Sequence, residues 1–126
     1  MQFTRVKISV HCPIDAAERL RQAIGDAGFG QIGNYSHCCF VSNGTGYFKP
    51  NQDANPHIGE AGQIESVEEV AIEFICNKED VARAKQVITD NHPYEEVAVD
   101  VFPLLDVWKS WLILKMSQYA TFLHHK

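Results

Sequence analysis

The chain opens on an alternating stretch. In RVKISVHC, Val6, Ile8, Val10 and Cys12 take one parity, and Arg5, Lys7, Ser9 and His11 take the other. Successive side chains on a strand point to opposite faces, so a period of two with β-branched residues on the apolar side predicts a strand with one buried face. Pro13 stops it, and Asp15 stands three residues before Glu18, a capping-box spacing at a helix start. Ala17, Leu20, Ile24 and Ala27 then recur at three- and four-residue steps, the pattern of an amphipathic helix, and Gly28 is placed to end it in a left-handed conformation.

The same plan is written a second time. Val70, Ile72, Phe74 and Cys76 share one strand face, Asn77 is positioned as a helix cap with Asp80 three residues on, and Val81, Ala84 and Ile88 form a buried stripe. At an offset of 64 residues Cys12 meets Cys76, Arg19 meets Arg83, Gln22 meets Gln86 and Ile24 meets Ile88. A further strand is predicted after each helix, over residues 35–42 in the first half and 95–102 in the second. Two strand–helix–strand halves predict a ferredoxin-like α+β sandwich, a four-stranded antiparallel sheet with two helices on one face. The leading strands of the halves would then adjoin at the centre, with Arg5 and Lys7 facing Glu69 and Glu73 as a solvated charge ladder.

Residues 43–64 join the halves and hold four glycines and two prolines, too many for a continuous strand or helix. Asn43-Gly44 is expected to turn tightly, with Tyr47 and Phe48 beginning a short returning strand. Long irregular connections in small domains commonly carry binding function. At the other end, Leu105, Trp108, Leu112, Met116, Tyr119 and Leu123 fall at steps of 3, 4, 4, 3 and 4, widened by Trp111, Ile113 and Leu114. This predicts a C-terminal amphipathic helix over residues 105–126, appended to a domain of residues 1–104. Asp106, Lys109 and Lys115 argue against a membrane span, because charge at bilayer depth is costly. Docking on the domain or on a neighbouring subunit is the expected role, with a membrane-surface helix as the alternative.

Composition narrows the class. At 126 residues, 45% hydrophobic and 21% charged, the chain is one globular domain and not a disordered one. A net charge of −5 carries no basic footprint for nucleic acid. Arg5, Lys7 and Ser9 break the apolar run that a signal peptide would need, and four cysteines then read as reduced thiols, so a cytoplasmic location is expected.

A family resemblance rests on the middle of the chain. GQIGNYSHCCFVSNGTGYFKPNQDANPHIGEAGQIESVEEVAIEF, followed by HPYEEVAVDVFPL, resembles the YqfO-type domain, the insert domain of Nif3-like proteins, whose architecture is similar to the PII and CutA families. The likeness covers about residues 3–104, with specific matches in IGNYSHC, GTGYFKP, ANPHIGE and HPYEE. It implies a homotrimer, with sheets packed around a shared axis and clefts between subunits. The halves that flank the domain in the larger proteins, and with them the metal site and any hydrolase or cyclohydrolase activity proposed there, have no counterpart in this sequence. Cys39 replaces the usual small polar residue, and the segment after Pro103 lies outside the pattern.

Three functional readings remain. The first is a divalent metal, zinc or copper, or a small molecule at the subunit cleft, held by His37, His57, His92 and Glu96, since imidazole with carboxylate suits such ions. Within one subunit His37 and Glu96 would lie on opposite sheet edges, so a neighbouring subunit would have to bring them together. The second is a PII-like nucleotide or anion sensor, with backbone amides around Gly44 and Gly46 forming a nest and Lys49 adding charge. The third is catalysis by a Cys39 thiolate beside His37, the least favoured because no acid–base pair or phosphate loop accompanies it. A non-catalytic binding or regulatory module is therefore expected, and a purely structural oligomerisation domain is its bland alternative.

Overall fold

The computed structural model describes residues 2–105. Strand β1 (Arg5–Pro13) leads directly into helix α1 (Ile14–Asp26), and after a connection comes β2 (Phe40–Phe48). Strand β3 (Glu65–Asn77), a single 3-10 turn (Lys78–Asp80), helix α2 (Val81–Asn91) and β4 (Val99–Leu104) complete the second half. The four strands form one antiparallel sheet in the order β2-β3-β1-β4. This is the ferredoxin-like arrangement that the duplicated pattern predicts. The predicted C-terminal helix and its domain boundary lie outside the described residues, and no described helix is long and apolar enough to cross a membrane.

The alternation sorts the sheet into its two faces. Val6, Ile8, Val10 and Cys12 of β1 and Val70, Ile72, Phe74 and Cys76 of β3 are all buried, beneath Leu20 and Ile24 of α1 and Ala84 and Ile88 of α2. In the register Val6 faces Cys76 and Cys12 faces Val70, two pairs that exchange when 64 is added to one partner and taken from the other. The central ladder therefore has the symmetry of the repeat. The helices carry it too: Gln22 donates to Asp26 at 2.9 Å, and Gln86 donates to Asp90 at 2.7 Å, the same bond 64 residues on. Arg83 ties the halves together, donating to the Ala27 carbonyl at 2.7 Å while its guanidinium lies 4.2 Å over the Phe29 ring.

Several local expectations are corrected. Neither helix start has a side-chain cap. Pro13, at φ −58°, belongs to both the strand end and the helix start, so Asp15 falls inside the first turn, where its charge complements the exposed amides. Gly28 does take the left-handed conformation, at φ +95°. The Asn43-Gly44 turn is absent, because β3 runs thirteen residues and pairs with β2 through the glycines as far as Phe48 opposite Glu65. The charge ladder does not form either: Arg5 stands opposite Asn77, Lys7 opposite Ile75, and Glu73 opposite Ser9. Arg5 instead donates to the Gln31 carbonyl at 2.9 Å. Strand β4 starts four residues later than expected, which leaves Glu95 and Glu96 in the connection before it.

Candidate functional site

A cleft of about 490 Å³ opens where residues 49–58, the connection after β2, lie against residues 94–98, the approach to β4. It sits at the Pro13 end of β1. Tyr94 is its centre. The Tyr94 phenol donates to Glu69 Oε2 at 2.7 Å, and its ring lies 6.2 Å from Phe48, 6.4 Å from His57 and 4.9 Å from His92. Burial first, and the Glu69 carboxylate second, push this phenol well above its ordinary range. It therefore stays a protonated donor.

Glu69 reaches Tyr94 because Gly46 makes room. On β2 and β3 these two residues share the face opposite α1 and α2, and a Cβ on Gly46 would stand 1.9 Å from Glu69 Oε1. Glycine inside a strand marks such close approaches. Glu69 is consequently only 9% exposed. A smaller hollow of about 100 Å³, floored by Ser42, Gly44 and Ala71, adjoins the cleft and shares His11, Gly46 and Glu69 with it.

Further hydrogen bonds hold the walls. The Asn55 backbone N–H donates to both Glu95 oxygens, at 3.1 and 3.2 Å, drawing the glycine-rich loop onto the segment before β4. His92 Nε2 donates to the His11 carbonyl at 2.7 Å, and the Tyr94 N–H donates to His92 Nδ1 at 3.1 Å. A carbonyl only accepts and an amide N–H only donates, so this pairing fixes the neutral tautomer with its proton on Nε2.

The predicted site residues part company here. His57, Glu96, Gly46 and Lys49 all line the cleft, and Gly44 lines the adjoining hollow. Gly44 and Gly46 are in paired strand, however, and neither has a positive φ, so their amides form no anion nest. His92 spends both nitrogens on bracing the wall and would have to surrender at least one of these bonds to free a nitrogen for a metal. His37 lies elsewhere, before β2 begins, at φ +60°, with its ring over Gly25 at the end of α1. Its Nε2 is 3.0 Å from Asp26 Oδ1 and its Nδ1 is 2.9 Å from Ser36 Oγ. Among the described residues no three His, Cys, Asp or Glu side chains gather as a metal ion requires. The thiolate reading fares no better, because burial pushes the Cys39 thiol up and away from the ionised form.

Glu69, Tyr94, His11 and Glu95 are among the cleft residues that the sequence pattern does not assign to a site. A signal was present in Gly46, a glycine inside a strand whose missing Cβ leaves the space Glu69 fills, whereas Gly44 beside it faces open space.

No protein-family model matches the chain. The Bacillus subtilis protein named GTP cyclohydrolase 1 type 2 homolog is 45% identical over 98 residues, which are 78% of this chain and 26% of that protein. The solved Bacillus cereus protein related to NIF3 superposes with a TM-score of 0.71 at 46% identity, over 82% of this chain and 26% of that one. The periplasmic divalent cation tolerance protein CutA from Archaeoglobus fulgidus superposes with a TM-score of 0.62 at 17% identity, over 86% of this chain and 91% of that one, a likeness of fold alone. The chain thus spans about a quarter of the NIF3-related proteins it matches, is similar in sequence to that quarter, and has the CutA-like ferredoxin fold.

Proposed function

We propose that this domain is a non-catalytic binding module whose small-molecule ligand enters the cleft between residues 49–58 and 94–98, and which assembles with copies of itself, most simply as a trimer. One observation carries the reading. The cleft combines ring walls from Phe48, His57 and Tyr94 with a nearly buried carboxylate, the mixture of apolar enclosure and few placed polar groups by which small molecules are held. Its walls come from separate parts of the chain and are tied by the Glu95–Asn55 and His92–His11 bonds, so a ligand here would brace the loop against the sheet. That coupling suits a regulatory role. The proposal assigns this chain no reaction, and it places the module in the cytoplasm, where its four free thiols stay reduced.

The anion-sensor alternative keeps only Lys49 from its original residues. A thermal-shift screen of amines, nucleotides, organic acids, zinc and copper against the full chain and Tyr94→Ala tests the reading. Compounds that raise the midpoint of the wild type and not of the variant support it. A wild type that no class stabilises, or hits that stabilise both proteins alike, overturns it.

A further inference from the structure

The chemistry of the cleft narrows its ligand class, an inference that rests on the cleft being a binding site. Glu69 is nine-tenths buried, and one of its oxygens, Oε2, is satisfied by the Tyr94 phenol. The other, Oε1, stands over Gly46 and accepts no hydrogen bond from any described residue. Both residues line both hollows. A carboxylate this enclosed gains from each hydrogen-bond donor it finds; the protein supplies one, and Oε1 still opens onto the cleft. A ligand is left to supply the next.

The surroundings indicate which kind. Glu69, Glu95 and Glu96 line the cleft with a single lysine, Lys49, and the rings of Phe48 and Tyr94 form part of its wall. Carboxylates together with ring faces attract organic cations, whereas an anion would meet three like charges. A bare divalent ion would need several donor side chains around one point, and no group of three is gathered among the described residues. Glu95 already has both oxygens on Asn55, which leaves Glu69 as the inner anchor. We propose that the cleft takes a small organic cation bearing N–H donors, an amine or a guanidinium compound, whose charged head donates to Glu69 Oε1 while its apolar body lies along Tyr94 and Phe48.

Isothermal calorimetry on the full chain tests this with four probes: agmatine and putrescine as cations, butylurea as a neutral match and glutarate as an anion. The cations should bind, and butylurea and glutarate should bind at least about tenfold more weakly. Glu69→Gln keeps the shape and lets Tyr94 donate to an amide oxygen, and should weaken the cations about 10–100-fold, the worth of a charge-assisted hydrogen bond. Lys49→Glu changes an exposed position and should tighten them about two- to fivefold, which keeps the idea testable should Glu69→Gln fail to fold. Butylurea or glutarate binding as well as agmatine overturns the cation assignment and leaves the cleft as a site. So does agmatine binding unchanged in Glu69→Gln, or unchanged or weakened in Lys49→Glu. No heat from any probe, together with no hit in the thermal screen, overturns the binding site itself.

Discussion

Gly46 is where sequence, geometry and chemistry meet on a single atom. Any β-carbon there would displace the Glu69 carboxylate, and the displaced group would lose Tyr94. Gly46→Ala should therefore destabilise the fold by about 1 kcal/mol, because the lost buried hydrogen bond outweighs the gain from a less flexible unfolded chain. Tyr94→Phe removes the bond without adding bulk, and should cost about 1–2 kcal/mol in urea unfolding. The buried thiols make a second, independent prediction. Burial pushes Cys12 and Cys76 up to about 11, against an ordinary 9.0. Raised folded-state values mean stability that is intact below pH 9 and declines as pH climbs from there through 11. Denaturant midpoints measured from pH 8 to pH 11 should fall across that interval, and Cys12→Ala with Cys76→Ala should flatten the fall. At pH 8 a thiol reagent should modify Cys38 quickly and reach Cys12 and Cys76 only on unfolding, since those two are 0% and 6% exposed.

At the scale of elements, the two halves are held by equivalent parts, and they should fail alike. Leu20 and Ala84 are equivalent by the 64-residue offset, as are Ile24 and Ile88, and all four are buried under the same sheet face. Leu20→Ala and Ile88→Ala should each cost about 2–5 kcal/mol in denaturant unfolding, the range for emptying a packed core site. The periodicity exposed most of this layer: β1, β3 and both helices lie where the alternation and the three- and four-residue steps put them, while Phe29, buried in the same core beyond the end of α1, is not marked by it. Strand β2 was harder to read. Its glycines resemble turn residues when seen locally, and only the length of β3, with which they pair, keeps them extended. The charge ladder failed for a related reason, because parity assigns a face and does not set register. Within the site, His57, Glu96, Gly46 and Lys49 were legible from their setting in a glycine-rich loop and an acidic strand approach. His37 and His92 misled because their partners, Asp26 and the His11 carbonyl, come from elements that no spacing along the chain connects to them. Glu69 looked like one more exposed strand glutamate until the fold placed it beside Tyr94.

On the scale of the whole molecule, both described helices pack on one face of the sheet, and among the described residues no helix lies on the other. Phe40 on β2 and Phe102 on β4 point from that second face, 67% and 50% exposed, on opposite sheet edges. The proposed self-assembly would bury both side chains. Sedimentation of the full chain should give three times the protomer mass, and Phe102→Asp should shift it toward the single protomer. A wild type that stays single at tens of micromolar would remove the assembly and leave the cleft, which lies within one chain. The cleft itself is best judged by amide-resolved NMR of the labelled full chain during titration with agmatine. Binding there predicts shifts concentrated at Gly46, Asn55, Tyr94 and Glu95. Saturating shifts centred instead on Asp26 and His37 at the end of α1, or none anywhere, would contradict it.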